Sequence, residues 1–440
     1  MIGTPRLRRG LPVAPGAMPL IGHLGKAWRG MPELVRRAHD ELGPVFWISA
    51  AGTWVLMCTG PEAPPLLKSK SFSSAHLQTV SPIVAGESLL ARDGDDHRRM
   101  RTAMNKPFSP KGLSATSAGA MAASALGVLT ERWVRQRGAR VLPDIQEAAL
   151  EIIFRMLGVG THELPQWRVQ YRALLLANLG FKPRFPGSPA WRAARAKSWI
   201  DGRFGAAVAA ARSGRPSDGL LGAMAVAEDD DGHVLSEREL VDNLRLLALG
   251  GHETISSTMA WMTIALAARP KCWDALAAET ARIDAPPVDL EAARGLPYAE
   301  AIFRETVRMH PPFGAITRVA EEDVELGGRT IPKGTNVAVD LWTASRDPAV
   351  FDEPHSFRPE RWLGRSGPPT QLEIVQFGAG PHFCLGYHLA WLEAVQFAAA
   401  LGIAAQKARV RPRLDGAEPV PIYLPTEHPP PKTRVRFDGS

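Results

Sequence analysis

Cysteine is scarce in this 440-residue chain, occurring only as Cys58, Cys272 and Cys384. An odd, sparse set makes a poor disulfide framework and suits a reducing cytosol. No Cys-x-x-Cys occurs, which argues against zinc ribbons and simple iron–sulfur sites. No stretch of about 18 apolar residues runs unbroken, so no membrane span is expected. The early arginines Arg6, Arg8 and Arg9 are not followed by an apolar run of signal-peptide length. Charge of one sign is in small excess, 52 Lys+Arg against 45 Asp+Glu for a net +7, and the cations are scattered. That argues against nucleic acid and leaves room for a basic patch facing an acidic protein partner. There is no internal repeat and no low-complexity tract.

What is present reads as mainly helical. The segment Leu11–Gly22, with Pro12, Pro15 and Pro19, is a stiff extended lead-in. Residues 31–42 have helical spacing, and 45–57 read as a β-hairpin turning at Gly52. Residues 71–94 lack a clean period and read as a long loop. From His97 to about Gln170 the pattern is helical, with breaks expected at Pro107, Pro110 and Pro143. GFKPRFPGSP (residues 180–189) is a Pro/Gly loop between helical stretches. Further helices are expected at 271–284 and 297–309. Short strands are expected within 317–340 (Val324–Leu326, Asn336–Val339) and within 408–436.

The strongest helix signal covers 237–269. Ser236 and Glu239 make a capping box, and Pro270 stops the run. Such a helix is roughly 50 Å long. Leu244, Leu246, Leu247, Ala248 and Leu249 are apolar nearly all round, so it should run through the interior. Its centre nevertheless carries Gly250, Gly251, His252, Glu253 and Thr254. Mid-helix glycines cost about 1 kcal/mol each, and a buried Glu is costly unless partnered. Accepting both costs in one place points to use.

Phe377-Gly378-Ala379-Gly380-Pro381-His382-Phe383-Cys384-Leu385-Gly386 is a tight loop before the helical run YHLAWLEAVQFAAALG. It puts Cys384 at a helix start, where unpaired amides favour a thiolate. Cys58 and Cys272 read as buried and inert.

The loop resembles the heme-binding signature of the cytochrome P450 family, F-G-x-G-x-H-x-C-x-G. Three further stretches are similar to family motifs and occur in the family's order. Gly250–Thr254 resembles the oxygen-activation motif; by that resemblance Thr254 and Glu253 relay protons for the splitting of dioxygen. Glu305-Thr306-Val307-Arg308, followed by HPP, is similar to E-x-x-R, which in the family joins an arginine downstream, here Arg361 in FRPERW. Glu305, Arg308 and Arg361 are then a buried charge network that fixes the loop leading to Cys384. His97 and Arg101, i and i+4 on one helix face, match propionate-binding positions, as do Arg318 and His382.

The resemblance implies a single P450 domain over 1–440, mainly α with small β-sheets, a triangular prism with its long central helix over the heme. An extended segment covers about 1–30, and β-rich parts lie at about 43–60, 317–340 and 408–436. Cys384 is the expected ligand of iron in heme b. Phe377, Gly378, Gly386, Ala248 and Gly251 are expected to line the heme. Ile83, Val84, Leu247, Phe313, Ala315 and Ile316 fall in the family's substrate-contacting regions.

The implied activity is insertion of one oxygen atom of O2 into a hydrophobic small molecule by hydroxylation or epoxidation. Terpenoids, fatty acids and polyketides of secondary metabolism are the substrate classes. No flavin or ferredoxin segment follows, so the expected electron donors are a separate ferredoxin and its reductase. A cytoplasmic monomer without a transmembrane anchor is expected. A peroxide-driven peroxygenase and a non-catalytic heme sensor or carrier are the alternatives. Glu253 and Thr254 together speak against both.

Overall fold

The computed structural model describes residues 10–19, 21–27, 30–50, 53–80, 85–178, 185–213, 219–365, 367–423 and 426–439. Ten strands occur among them: β1 (Val45–Ala50), β2 (Thr53–Cys58), β3 (Phe72–Ser73), β4 (Gly138–Arg140), β5 (Ala315–Ala320), β6 (Val324–Leu326), β7 (Arg329–Ile331), β8 (Asn336–Asp340), β9 (Val410–Leu414) and β10 (Arg434–Gly439). The longer helices are α1 (Met31–Leu42), α2 (Gly94–Phe108), α3 (Ala118–Arg135), α4 (Val141–Met156), α5 (Leu164–Asn178), α6 (Pro189–Arg212), α7 (Glu237–Ala268), α8 (Pro270–Thr280), α9 (Pro297–Met309) and α10 (Tyr387–Lys407). The expected mainly α architecture with small sheets is what is found. The chain forms two compact units. One comprises 1–76, 304–384 and 419–430; the other comprises 77–303, 385–418 and 431–440.

The first unit is built on a five-stranded sheet in the order β1-β2-β8-β5-β3, with β6–β7 as a separate hairpin. β1 and β2 pair antiparallel in the register Val45↔Cys58 to Ala50↔Thr53. Their apolar side chains split between two clusters. Val45, Trp47, Leu56 and Val339 pack in one, and Phe46, Ile48, Met57 and Ala338 in the other, with α1. The proline-rich lead-in is pinned to this sheet: Ala14 N donates to Trp47 O at 2.9 Å and Trp47 N to Pro12 O at 2.8 Å.

The second unit is helical around α7, which packs on α4, α6 and α10. The three-stranded sheet β4-β10-β9 completes it. The capping box is formed: Glu239 N donates to Ser236 Oγ at 3.2 Å, and Ser236 N to Glu239 Oε2 at 2.8 Å.

Several local expectations are corrected. Pro107 does not break α2 but lies in its last turn, and Pro143 lies in the first turn of α4. At a helix start the missing N–H would have had no intrahelical partner anyway. Residues 71–94 are not wholly loop: they hold β3, the helical turn Leu77–Val80 and the 3-10 turn Leu89–Ala91. The last strand runs on to Gly439.

Candidate active site

In the first unit Cys384 closes a loop through its own backbone. Its N–H donates to Phe377 O at 2.8 Å, and Phe383 N donates to Gly380 O at 3.1 Å. The Gln371 amide holds the Gly378 carbonyl at 2.9 Å. Gly378 and Gly380 take φ of 78° and 62°, the left-handed region that a side chain resists. A Cβ at Gly380 would also lie 3.2 Å from the Lys68 backbone. Gly386 is the N-cap of α10, so Cys384 stands two residues outside the cap and not in the first turn. This corrects the expected helix-start position. The thiol is half-exposed, whereas Cys58 and Cys272 are buried as expected. Burial pushes the Cys58 thiol up to about 12, which keeps it neutral.

A charge network stands behind this loop. Arg308 donates to Glu305 through Nε (2.9 Å) and Nη2 (2.7 Å), and neither side chain is exposed. Arg361 Nε reaches Glu305 Oε1 at 3.1 Å, as the sequence led one to expect. Two further donors were not foreseen: Trp362 Nε1 at 2.9 Å and Arg358 N at 2.7 Å. Arg308 Nη1 also donates to Ser345 O at 3.1 Å, and Gln376 Nε2 donates to Ser345 Oγ at 2.7 Å. Gln376 precedes Phe377, whose carbonyl holds Cys384. The network thus reaches the thiol loop in a short series of bonds. Nothing in the sequence signals Ser345 or Gln376, because the link exists only in space.

The strand β5 serves the same loop. Ile316 and Arg318 share a face; a Cβ at Gly378 would lie 3.7 Å from Ile316 Cδ1. Arg318 is buried and donates to its neighbour's carbonyl, Thr317 O, at 2.8 Å. His382 Nε2 lies 3.4 Å from Ser74 Oγ. Ala315 is on the opposite face of the strand, with the cluster of α1. Phe313 is 50% exposed and precedes the strand.

In the second unit His97 is buried on α2 and Arg101, one turn on, is half-buried. Arg98 faces solvent, paired with Asp95 at 2.7 Å. On α7 every residue from Ile255 to Leu266 is buried. The unbroken buried run is this stretch; within 244–249, Leu244, Ala248 and Leu249 are buried as expected, and Leu246 and Leu247 only partly. Ala248 is buried, but Leu247, Gly250, Gly251 and Thr254 keep exposure, and they recur as i, i+3, i+4 and i+7. They form one accessible stripe along the helix, flanked by the partly exposed Leu246 and Glu253. Thr254 Oγ1 donates to Gly250 O at 2.6 Å. The neighbouring Glu253 Oε1 lies 3.1 Å from His252 Nε2, a contact the sequence motif did not single out. Ile83 and Val84 lie outside the described residues.

Residues 206–401 match the family model described as Cytochrome P450. The chain is 40% identical over 434 residues to cytochrome P450 BJ-4 of Bradyrhizobium diazoefficiens, covering 98% of this chain and 97% of that relative. It is 27% identical over 419 residues to cyclooctat-9-en-7-ol 5-monooxygenase of Streptomyces melanosporofaciens, covering 91% and 89%. Among solved structures, that of retinoic acid bound cyanobacterial CYP120A1 superposes with a TM-score of 0.84 over 98% of this chain and 100% of that one, at 22% identity. That likeness is one of fold. With the half-exposed cysteine in its glycine-shaped loop and the acid–threonine pair on α7, these matches establish that the chain belongs to the cytochrome P450 family, as a heme-thiolate monooxygenase.

Proposed function

We propose that Cys384 is the thiolate ligand of heme b, and that the enzyme inserts one oxygen atom of O2 into a hydrophobic small molecule by hydroxylation or epoxidation. One observation carries this reading: of three thiols only Cys384 is accessible, in a loop fixed by backbone bonds and braced by the Glu305 network. The donor set suits the group. A soft thiolate stands at a loop whose glycines keep side chains away; a Cβ on Gly386 would meet nothing within 4 Å, so there is room beside it. Bound heme supplies the activation of dioxygen, favoured by the electron-rich thiolate.

The chain's own residues do the rest. Arg318, His382, His97 and Arg101 bind the propionates through charge-assisted bonds. Phe377, Gly378, Ala248 and Gly251 line the flat group. Glu305, Arg308 and Arg361 hold the thiol loop in place. Glu253 holds a proton and Thr254 directs it, in a site dry enough for proton delivery to need fixed groups. Leu247, Phe313 and Ile316 offer apolar contact to substrate, whereas Ala315, on the opposite face of β5, is left to the packing around α1. A terpenoid is the first class to screen, ahead of fatty acids and polyketides, since one relative is named for acting on cyclooctat-9-en-7-ol. The electrons come from outside the chain; a ferredoxin and its reductase are the proposed donors, meeting a monomeric, single-domain enzyme in the cytoplasm.

Reduction of the purified protein under carbon monoxide tests the ligand, and turnover with electron donors against turnover with peroxide tests the reaction. A thiolate-type, red-shifted Soret band and donor-driven turnover are expected. A band of the histidine-ligated kind would sink the Cys384 assignment. Turnover with peroxide alone would make the enzyme a peroxygenase.

A further inference from the structure

We propose that the outer face of the β4-β10-β9 sheet docks an acidic protein partner, through an extended segment with Asp or Glu at alternate positions. In an antiparallel sheet, directly opposed residues share a face. The register sets Arg434 opposite Arg140, Arg436 opposite both Gly138 and Arg413, and Asp438 opposite Arg411. One face of this sheet thus bears Arg140, Arg411, Arg413, Arg434 and Arg436, with Asp438 as its acid. The other face buries Ala139, Val410, Pro412, Val435 and Phe437, and Phe437 packs on Trp133 of α3 with ring centroids 6.5 Å apart.

Like charges set directly opposite each other destabilise a sheet. This sheet accepts two such pairs, Arg434–Arg140 and Arg436–Arg413. Charge on an edge strand is explained by protection against stray pairing. That reason does not extend to Arg434 and Arg436, because β10 is the central strand. Acids offset the excess only in part. Arg140 Nε donates to Asp144 Oδ1 at 2.9 Å, and Arg132 at the end of α3 stands 4.0 Å from the same oxygen. Asp415 lies 3.6 Å from Arg436, Asp438 lies 3.4 Å from Arg413, and Asp274 of α8 lies 2.8 Å from Arg411. Arg434 pairs with no carboxylate among the described residues; it donates to the carbonyls of Pro431 and Thr433 at 3.3 and 3.4 Å.

The chemistry favours carboxylates on an extended chain. Guanidinium forks match carboxylates in shape and charge. Arg434 and Arg436 are two residues apart on one strand, about 6.8 Å, and alternate side chains of an extended partner repeat at that same distance. A cleft of about 510 Å³ at these two arginines is also lined by Arg132, Gln136 and Arg140, which gives such a segment a bed. Asp144 and Asp415 line it too and would repel the unbroken phosphates of a nucleic acid. Among the described residues this face carries no aromatic ring on which bases could stack.

Binding of a fluorescein-labelled peptide of alternating Glu and Ser to the holoenzyme, followed by anisotropy at low salt, tests the proposal. Wild type should bind, and more weakly as salt rises. The double variant Arg434→Gln, Arg436→Gln should bind about tenfold more weakly. Its urea midpoint should stay at or above that of wild type, because two cross-strand repulsions are gone. Arg36→Gln with Arg37→Gln removes the same charge from α1, in the first unit, and should bind as wild type does. No binding by wild type, undiminished binding by the sheet variant, or an equal loss in the α1 variant overturns the proposal. A sheet variant with a lowered midpoint also overturns it, since the arginines would then be holding the sheet together. Displacement of the peptide by oligothymidylate at lower concentration than by unlabelled peptide would make the ligand a nucleic acid and reject the protein partner.

Discussion

Replacing Glu305 by Gln should both destabilise the protein and loosen the thiol. The Glu305 carboxylate accepts from Arg308 twice, from Arg361 Nε, from Trp362 Nε1 and from Arg358 N, all between 2.7 and 3.1 Å, with none of its side chain exposed. Gln offers one acceptor oxygen and turns an N–H₂ group toward donors. Two guanidinium groups then face each other without their counter-charge. Breaking a buried pair from one side costs about 3–5 kcal/mol, because the partner charge stays buried. Some of that loss should reach Cys384 through Arg308, Ser345 and Gln376. The denaturant midpoint of the holoenzyme measures the first effect, and the proportion of thiolate-type carbon monoxide spectrum measures the second. Glu353→Gln is the control: it removes the exposed Arg358–Glu353 pair, whose side chains are 41% and 63% exposed, and should cost less than about 1 kcal/mol. If Glu305→Gln matches that control in midpoint and keeps the full thiolate spectrum, the network is not what braces the loop.

Three other substitutions test separate parts of the argument. Burial alone pushes Glu393 up to about 8 from 4.5, so the folded state holds its proton and stability falls as pH rises between those values. Glu393→Gln should flatten that dependence and gain on the order of 4 kcal/mol above it; unfolding midpoints against pH with a wild-type slope would contradict this. Gly86 takes φ of +50°, and a Cβ there would lie 2.6 Å from Asp242 Oδ2 and 2.7 Å from Arg245 Nη2. Gly86→Ala should lower stability by about 1–3 kcal/mol, and an unchanged melting temperature would show that the loop yields. Thr254→Ala should keep the thiolate spectrum while product per electron falls and peroxide release rises; unchanged coupling would remove Thr254 from the relay.

Where a signal was local, the sequence carried it. The helix at 31–42, the capping box of Ser236 and Glu239, and the hairpin of β1 and β2 each depend on neighbours within a few residues. β3 and β4, only two and three residues long, could not be read that way. They have too few residues to show alternation, and they exist because β5 and β10, far along the chain, supply the pairing. The same holds at the site. Motif spacing singled out Cys384, Glu253 and Thr254 as candidates and anticipated the Glu305–Arg308–Arg361 contacts, but not how each residue is held.

The position of Cys384 shows the difference most clearly. Read from the sequence, the helix dipole explained an activated thiol. In the structure Gly386 caps α10, and Cys384 stands outside the helix, held by Phe377 O through its own N–H. The loop then needs a rigid anchor of its own, and the buried carboxylate with its five donors provides one. A cost that looked gratuitous in E-x-x-R, two arginines and a glutamate taken out of water, is explained by what it fixes. The same logic applies to α7. Two glycines and an acid weaken a helix that is buried at every position from Ile255 to Leu266, yet the glycines lie on the accessible stripe bearing Thr254, and Glu253 stands against His252. Both departures from the most stable choice occur where the proposed function needs an atom held or a proton moved, and they are absent from the fully buried run from Ile255 to Leu266.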